Sequence, residues 1–483
     1  MSYIGSFLKE RSRQRPDALA LHCDDRVWSN RDFTDWVCQL KVELRKRSVA
    51  GDRIALDCHR ADALLAGFFA VAGIRRTAAV LDPRSNLDAK TANTLAAASA
   101  LLLDDDFICR EASHGERGPL AVFSSSRDRS ADRPSLEDSF YIGFTSGTTG
   151  VAKGYMRSHG SWLHSFQIIE ELLGFNETDR VLIPGPLAHS LHLFGAVHAL
   201  HAGASVYAQS AFHPRRSLEM LRQGRCTFAY ATPTQLLTLK KLAGQERYPC
   251  VRTILVGGAE WTEDMAATVK PMFPNAHILT FYGASETSFI SMRRPGEVLP
   301  TGSVGKPVPG VIVDVRAADG THLAAGEVGR LWVAGPQNFQ DYVGAAKDQL
   351  LREGEFICVG DLGYFDASGY LYVTGRENRM IITSGVNVYP AEIEQVVLRI
   401  PEVLDCAVGA KVDAKRGWVP VLVAHLCDHA EDDISDFILK SCRKELGPVK
   451  APRQLLIHKE PLPLTPSGKM DYKAIDRFID EQT

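Results

Sequence analysis

The chain has 483 residues, too many for one hydrophobic core and enough for two or three packed units. Apolar residues make up 45% and charged residues 23%, the balance of a soluble globular protein. Net charge is -3, from 55 basic and 58 acidic residues, and neither half carries a basic surplus large enough to predict a nucleic-acid surface, so no nucleic-acid partner is expected.

The N-terminus, MSYIGSFLKERSRQRPD, lacks the apolar core of a signal peptide, and a cytoplasmic location is the default. The apolar run Leu64–Ile74 is too short to span a bilayer. Ten scattered cysteines without a CxxC pair read as reduced, mostly buried thiols, so neither disulfides nor a structural metal is expected. Short apolar runs at Tyr141–Phe144, Val181–Pro184, Thr253–Val256 and Ile278–Tyr282 each close at Gly, Pro or Ser. They predict buried strands of an α/β fold, whose strand ends present ligand-binding loops. The polar stretch Glu111–Asp138 reads as an exposed connection. A second unit starts near Asn378, giving domains of 1–377 and 378–483. In it, Pro390 opens a helix whose buried face carries Ile393, Val396, Val397 and Ile400. Strands follow at Val403–Val408 and Val419–Leu426. A second helix then places Ile434, Phe437, Ile438 and Cys442 on one side and stops at Gly447–Pro448, so this unit is α+β.

Tyr141–Gly154, YIGFTSGTTGVAKG, is the most informative segment. A strand runs into ten residues with four hydroxyls, three glycines and one lysine, Lys153. Small residues let backbone N–H groups approach phosphate oxygens, and the lysine adds positive charge. The spacing is not that of a Walker A loop. TSGTTGxxKG resembles the phosphate loop of the adenylate-forming superfamily: acyl-CoA synthetases, adenylation domains of nonribosomal peptide synthetases, and luciferases. Three further segments follow in that family's order. Phe281–Thr287, FYGASET, resembles its YGxTE motif; Gly360–Arg376 its GD…GR pair; and Pro463–Asp471, PLTPSGKMD, its C-terminal lysine loop.

The resemblance implies a large N-terminal region of several α/β subdomains with a small barrel-like β part, and a small mobile C-terminal domain. It implies ATP and magnesium as cofactors. Thr145, Ser146, Gly147, Thr148, Thr149 and Lys153 would hold phosphates. Gly258, Ala259, Glu260, Tyr282 and Gly283 would line the adenine, an aromatic face suiting a base. Ser285 would lie near the α-phosphate, and Glu286 on magnesium, a hard cation that favours carboxylate oxygen. Asp361 and Arg376 would reach the ribose, Lys469 would stabilise charge during adenylation, and Asn378 would be the hinge. In SGVNVYP, Val386 stands where many relatives have glycine, on the loop facing the incoming thiol.

Pro186–Gly195, PLAHSLHLFG, resembles the segment whose histidine, here His189, gates the acid site. With Ser190, Phe194 and Pro233, and with Leu191, Leu193, Thr232, Leu236 and Leu237 nearby, it suggests an apolar pocket for a fatty or aromatic monocarboxylic acid. The expected reaction is acyl-adenylate formation followed by transfer to CoA. Transfer to the phosphopantetheine of a separate acyl or peptidyl carrier protein is the alternative, and a degenerate nucleotide-binding protein a remote one. Monomer and homodimer both stay open.

Overall fold

The computed structural model describes residues 3–46, 52–85, 88, 97, 101–113, 133–145, 153–258, 261–344, 350–384, 386–413, 416–427, 433–465 and 470–482. Two compact units emerge. One comprises Met1–Leu299, Val304–Ile312 and Val333–Ile357; the other comprises Pro300–Ser303, Val313–Trp332 and Cys358–Thr483. The architecture is α/β in the large N-terminal region and α+β in the smaller C-terminal domain, as the sequence predicts.

The first unit holds two sheets. The smaller runs Asp341–Val343, Lys153–Ser158, Ser139–Thr145, Thr77–Val80, Arg53–Asp57, Leu101–Asp104. Its last four strands are mutually parallel, and the first two join antiparallel. In the larger sheet the strands His277–Ala284, Thr253–Val256, Phe228–Ala231, Arg180–Ile183, Ser205–Ala208 and Leu19–Cys23 are successive parallel neighbours. Thr253–Val256 and Phe228–Ala231 are buried at every position, which is why they read as unbroken apolar runs rather than alternating ones. The run too short for a bilayer is the helix Ala61–Ala72, buried along its whole length. Among the described residues no helix is long and apolar enough to cross a membrane.

In the second unit the strands Phe356–Phe365 and Leu371–Arg376 form a hairpin, turned at Asp366–Gly369 with Gly369 at φ +77°. The C-terminal sheet is built on the antiparallel pair Val403–Asp413 and Gly417–Leu426, both longer than predicted. Pro390 stands in the first turn of helix Pro390–Val397, with Ile393, Val396 and Val397 buried. The helix Ile434–Lys450 departs from expectation at Phe437, which is 55% exposed while Ile438 and Cys442 are fully buried. The buried stripe advances in fours, and Phe437 sits about 100° round the wheel from Ile438. Gly447 leaves helical geometry at φ 77°, ψ 167°, breaking the helix where the stop signal predicted. Of the expected connection Glu111–Asp138, residues 114–132 lie outside the described residues.

Candidate active site

Parallel strands deliver their following loops to one edge of a sheet, the usual place for a ligand in an open α/β fold. Four adjacent strands do so here. Arg180–Ile183 leads to the His189 segment, Phe228–Ala231 to Thr232–Pro233, Thr253–Val256 to Gly257–Gly258, and His277–Ala284 into Ser285–Glu286. Thr232 caps the helix Pro233–Ala243 in a reciprocal capping box with Gln235, which fixes Pro233 at that edge. Gly258 has φ +91°, a conformation that favours glycine. Ala259 and Glu260 lie outside the described residues.

In the hairpin of Ser139–Thr145 and Lys153–Ser158, Thr145 pairs with Lys153, so the two ends of the intervening loop face each other. Ser146, Gly147, Thr148 and Thr149 lie outside the described residues. The Lys153 Nζ stands 5.6 Å from the centre of the Tyr342 ring. Tyr342 belongs to the edge strand Asp341–Val343, which pairs with Lys153–Ser158 and sets Tyr342 opposite Tyr155.

The segment carrying Ser285 and Glu286 is a tight turn between the antiparallel strands His277–Ala284 and Ser288–Met292. Ala284 N–H donates to Thr287 Oγ1 at 3.1 Å, and Thr287 N–H to the Ala284 carbonyl at 3.2 Å. Gly283 is dictated by crowding, because a Cβ there would lie 1.7 Å from the Ser288 carbonyl oxygen. Glu286 is 8% exposed. The Tyr342 hydroxyl donates to its Oε1 at 2.8 Å, and the Phe339 N–H donates to its carbonyl at 2.7 Å. Arg157, also buried, donates from Nη1 to the Ser285 carbonyl at 2.8 Å and from Nη2 to the Gln337 carbonyl at 2.7 Å. Burial pulls the Arg157 guanidinium down to about 10. A magnesium ion that shares phosphate oxygens and waters needs only one or two protein carboxylates. Glu286 fits that demand, since among the described residues no donor reaches its Oε2.

Lys153 and Glu286 thus meet at Tyr342. Neither Arg157 nor Tyr342 stood out in the sequence. The available signal was an arginine four residues after Lys153, within the same strand-forming segment KGYMRS.

Around the expected acid site, His189 Nε2 lies 2.8 Å from Arg84 Nη2, and Arg84 forks onto Asp82 at 3.0 and 2.9 Å. Burial pushes the Asp82 carboxyl up, but the Arg84 hydrogen bonds outweigh it and hold the group below its ordinary value. One helical turn on, His192 Nε2 meets Gln235 Oε1 at 3.2 Å, and burial pulls that imidazole down to about 4, so it is neutral. Ser190 begins the helix Ser190–Ala202. Phe194 packs among Trp162, Phe166 and Phe289 with ring centres 5.1 to 5.3 Å away, and Leu193 and Leu236 are enclosed in the packed interior.

In the second unit, Asp361 and Arg376 are opposite one another across the hairpin, Arg376 Nε lying 3.1 Å from Asp361 Oδ1. Asp361 is buried and Arg376 about half exposed. Asn378 sits inside the turn Glu377–Arg379. Glu377 is held by Arg330 at 2.7 Å. Arg379 donates to Glu394 at 3.2 Å and lies 3.3 Å from the centre of the Tyr472 ring. Val386 is partly exposed on the hairpin Ile381–Thr383/Val386–Val388. Lys469 lies outside the described residues, although its loop is closed at the base by a Leu464–Met470 bridge.

Comparison with known proteins bears on this arrangement. The AMP-binding enzyme model matches residues 8–343, and the AMP-binding enzyme C-terminal domain model matches residues 392–469. The chain belongs to the AMP-binding enzyme family. It is 34% identical over 346 residues to an uncharacterized acyl–CoA ligase, YhfT, of Bacillus subtilis strain 168, covering 71% of this chain and 70% of that one. It is 31% identical to the 2-succinylbenzoate–CoA ligase of Lactococcus lactis subsp. lactis, covering 68% and 69%. The crystal structure of ATP-bound MatB from Rhodopseudomonas palustris shares the fold, with a TM-score of 0.85, 22% identity and coverage of 99% and 98%. As a family member the chain is an adenylate-forming enzyme that activates a small-molecule carboxylic acid.

Proposed function

We infer that this enzyme is an acid–thiol ligase, joining a fatty or aromatic monocarboxylic acid to CoA with cleavage of ATP to AMP and pyrophosphate. The observation that carries the reading is the meeting of Lys153 and Glu286 at Tyr342, a cation and a carboxylate held beside the two ends of a hydroxyl- and glycine-rich loop. Names carried by relatives at 34% and 31% identity, an acyl–CoA ligase and a 2-succinylbenzoate–CoA ligase, support CoA as the acceptor.

In the first step the acid's carboxylate oxygen attacks the α-phosphorus and pyrophosphate leaves. Thr145 and Lys153, with the loop between them, take the phosphate charge, while Tyr282 offers a face to the adenine. Asp361, oriented by Arg376, accepts from the ribose hydroxyls. Glu286 holds magnesium, which when bound neutralises charge on the phosphates. Lys469 stabilises the charge that develops between the acyl oxygen and the α-phosphate. In the second step the thiol attacks the acyl carbon and AMP leaves.

The test is pyrophosphate release from ATP across short and long fatty acids, benzoates, cinnamates and amino acids, with and without CoA. Release with one acid class and CoA-dependent turnover support the reading. Release that needs a purified carrier protein in place of CoA overturns the acceptor. Intact ATP binding with no release from any acid overturns the substrate class.

A further inference from the structure

The turn that carries Ser285 and Glu286 is too short to hold itself. Its own hydrogen bonds fix only Ala284 and Thr287. The two residues at its tip are held from outside, by strands more than fifty residues away in sequence. Arg157 reaches the Ser285 carbonyl from the strand Lys153–Ser158, and Tyr342 reaches the Glu286 side chain from the strand Asp341–Val343. These strands are hydrogen-bonded neighbours, so both anchors move as one body with Lys153.

Arg157 is unusual for a buried guanidinium. Among the described residues no carboxylate lies within ion-pair distance of it. Its donors go to the Ser285 and Gln337 carbonyls and to Ser161 Oγ at 3.1 Å. Burying a charge without a counter-ion costs several kcal/mol, and such a group is retained where its geometry is needed. Here its fork ties the Ser285 carbonyl to that of Gln337, two residues before Phe339, whose N–H holds the Glu286 carbonyl. The main chain of the turn is therefore pinned at two consecutive carbonyls. The Tyr342 hydroxyl then selects one rotation of the Glu286 carboxylate by occupying Oε1.

We propose that Arg157 and Tyr342 are positioning residues for Glu286: Arg157 sets the height of the turn, and Tyr342 holds one carboxylate oxygen so that the other is presented to magnesium. The proposal rests on the reading of Glu286 as the magnesium-binding carboxylate. Partners of this kind typically govern metal affinity by about ten-fold or more.

The probe is Mn2+ binding in the presence of α,β-methylene-ATP, followed by electron paramagnetic resonance, with metal-free nucleotide affinity and the melting temperature measured alongside. Tyr342→Phe keeps the ring beneath Lys153 and removes only the hydroxyl. It is expected to weaken Mn2+ about ten-fold while metal-free nucleotide affinity and melting temperature hold. Arg157→Lys keeps the charge but not the fork, and is expected to weaken Mn2+ in the same direction. If it does not fold, Tyr342→Phe decides alone. Glu286→Gln separates the two levels of the argument. Weak Mn2+ binding in Glu286→Gln together with wild-type binding in Tyr342→Phe overturns the positioning role and leaves the metal reading standing. Wild-type Mn2+ binding in Glu286→Gln overturns the metal reading itself.

Discussion

Replacing Gly283 by alanine tests whether crowding at one backbone position controls the chemistry of the turn. The added Cβ would lie 1.7 Å from the Ser288 carbonyl oxygen and 2.9 Å from its carbon, whereas ordinary contact begins at 3.4 Å. Both neighbours are backbone, so no side chain can swing aside. The strands His277–Ala284 and Ser288–Met292 must part by well over an ångström where Gly283 pairs with Phe289. Overpacking of this kind costs about 1–3 kcal/mol of stability. The larger effect is on activity, because a displacement near 1 Å at a reacting centre costs about a hundred-fold. The assay is pyrophosphate release with an accepted acid, alongside thermal melting. Gly320→Ala is the control: its φ of +91° makes alanine strained by about 1–2 kcal/mol, but nothing lies within 4 Å of its Cβ. Gly283→Ala should lose about two orders of magnitude in kcat/KM, while Gly320→Ala loses stability alone. Equal kcat/KM in the two variants, at matched loss of stability, would refute the reasoning.

Three other predictions follow from the site and its surroundings. Asp361→Ala should weaken ATP binding about ten-fold without unfolding the protein, because Arg376 is half exposed and water can reach its guanidinium; unchanged affinity by calorimetry removes Asp361 from the site. Lys469→Ala should abolish adenylate formation yet still transfer the acyl group from supplied acyl-adenylate to CoA, and wild-type adenylation in a single-turnover assay sinks that assignment. Burial pulls the imidazoles of His159, His192 and His201 down to about 3, 4 and 4, against about 6.5 in the unfolded chain. The unfolded state therefore binds more protons below about pH 6.5. Stability should be full above that pH and fall towards pH 4 by up to about 1.4 kcal/mol per unit for each histidine. A melting temperature that stays flat from pH 7 to 5 contradicts this.

Local pattern made part of this molecule legible and left the rest hidden. Thr253–Val256 was readable as a short unbroken apolar run bounded by turn residues, and the Pro390 helix because its apolar spacing matches the helical period. Phe437 was misplaced because a spacing of three is as helical as four, and only packing shows which stripe is buried. In the helix Ser190–Ala202 every residue from His192 to His201 is buried, so the sequence holds no sign of which side faces an acid and which faces the core. The residues that steady Glu286 lay beyond reach for another reason. Arg157 and Tyr342 are 129 and 56 positions away, and only the pairing of two strands brings them to the turn.

The turn around Asn378 is tied down on both sides of that residue. Glu377 is moored to Arg330 on one side, and Arg379 is moored to Glu394 and Tyr472 on the other. Any twist passing along the chain at this point must be absorbed by the φ and ψ of Asn378 or must break a mooring. Asparagine is the residue, after glycine, that most readily visits the left-handed basin. Arg330, Glu394 and Tyr472 all belong to the same compact unit, so the two moorings brace the turn from either side of Asn378.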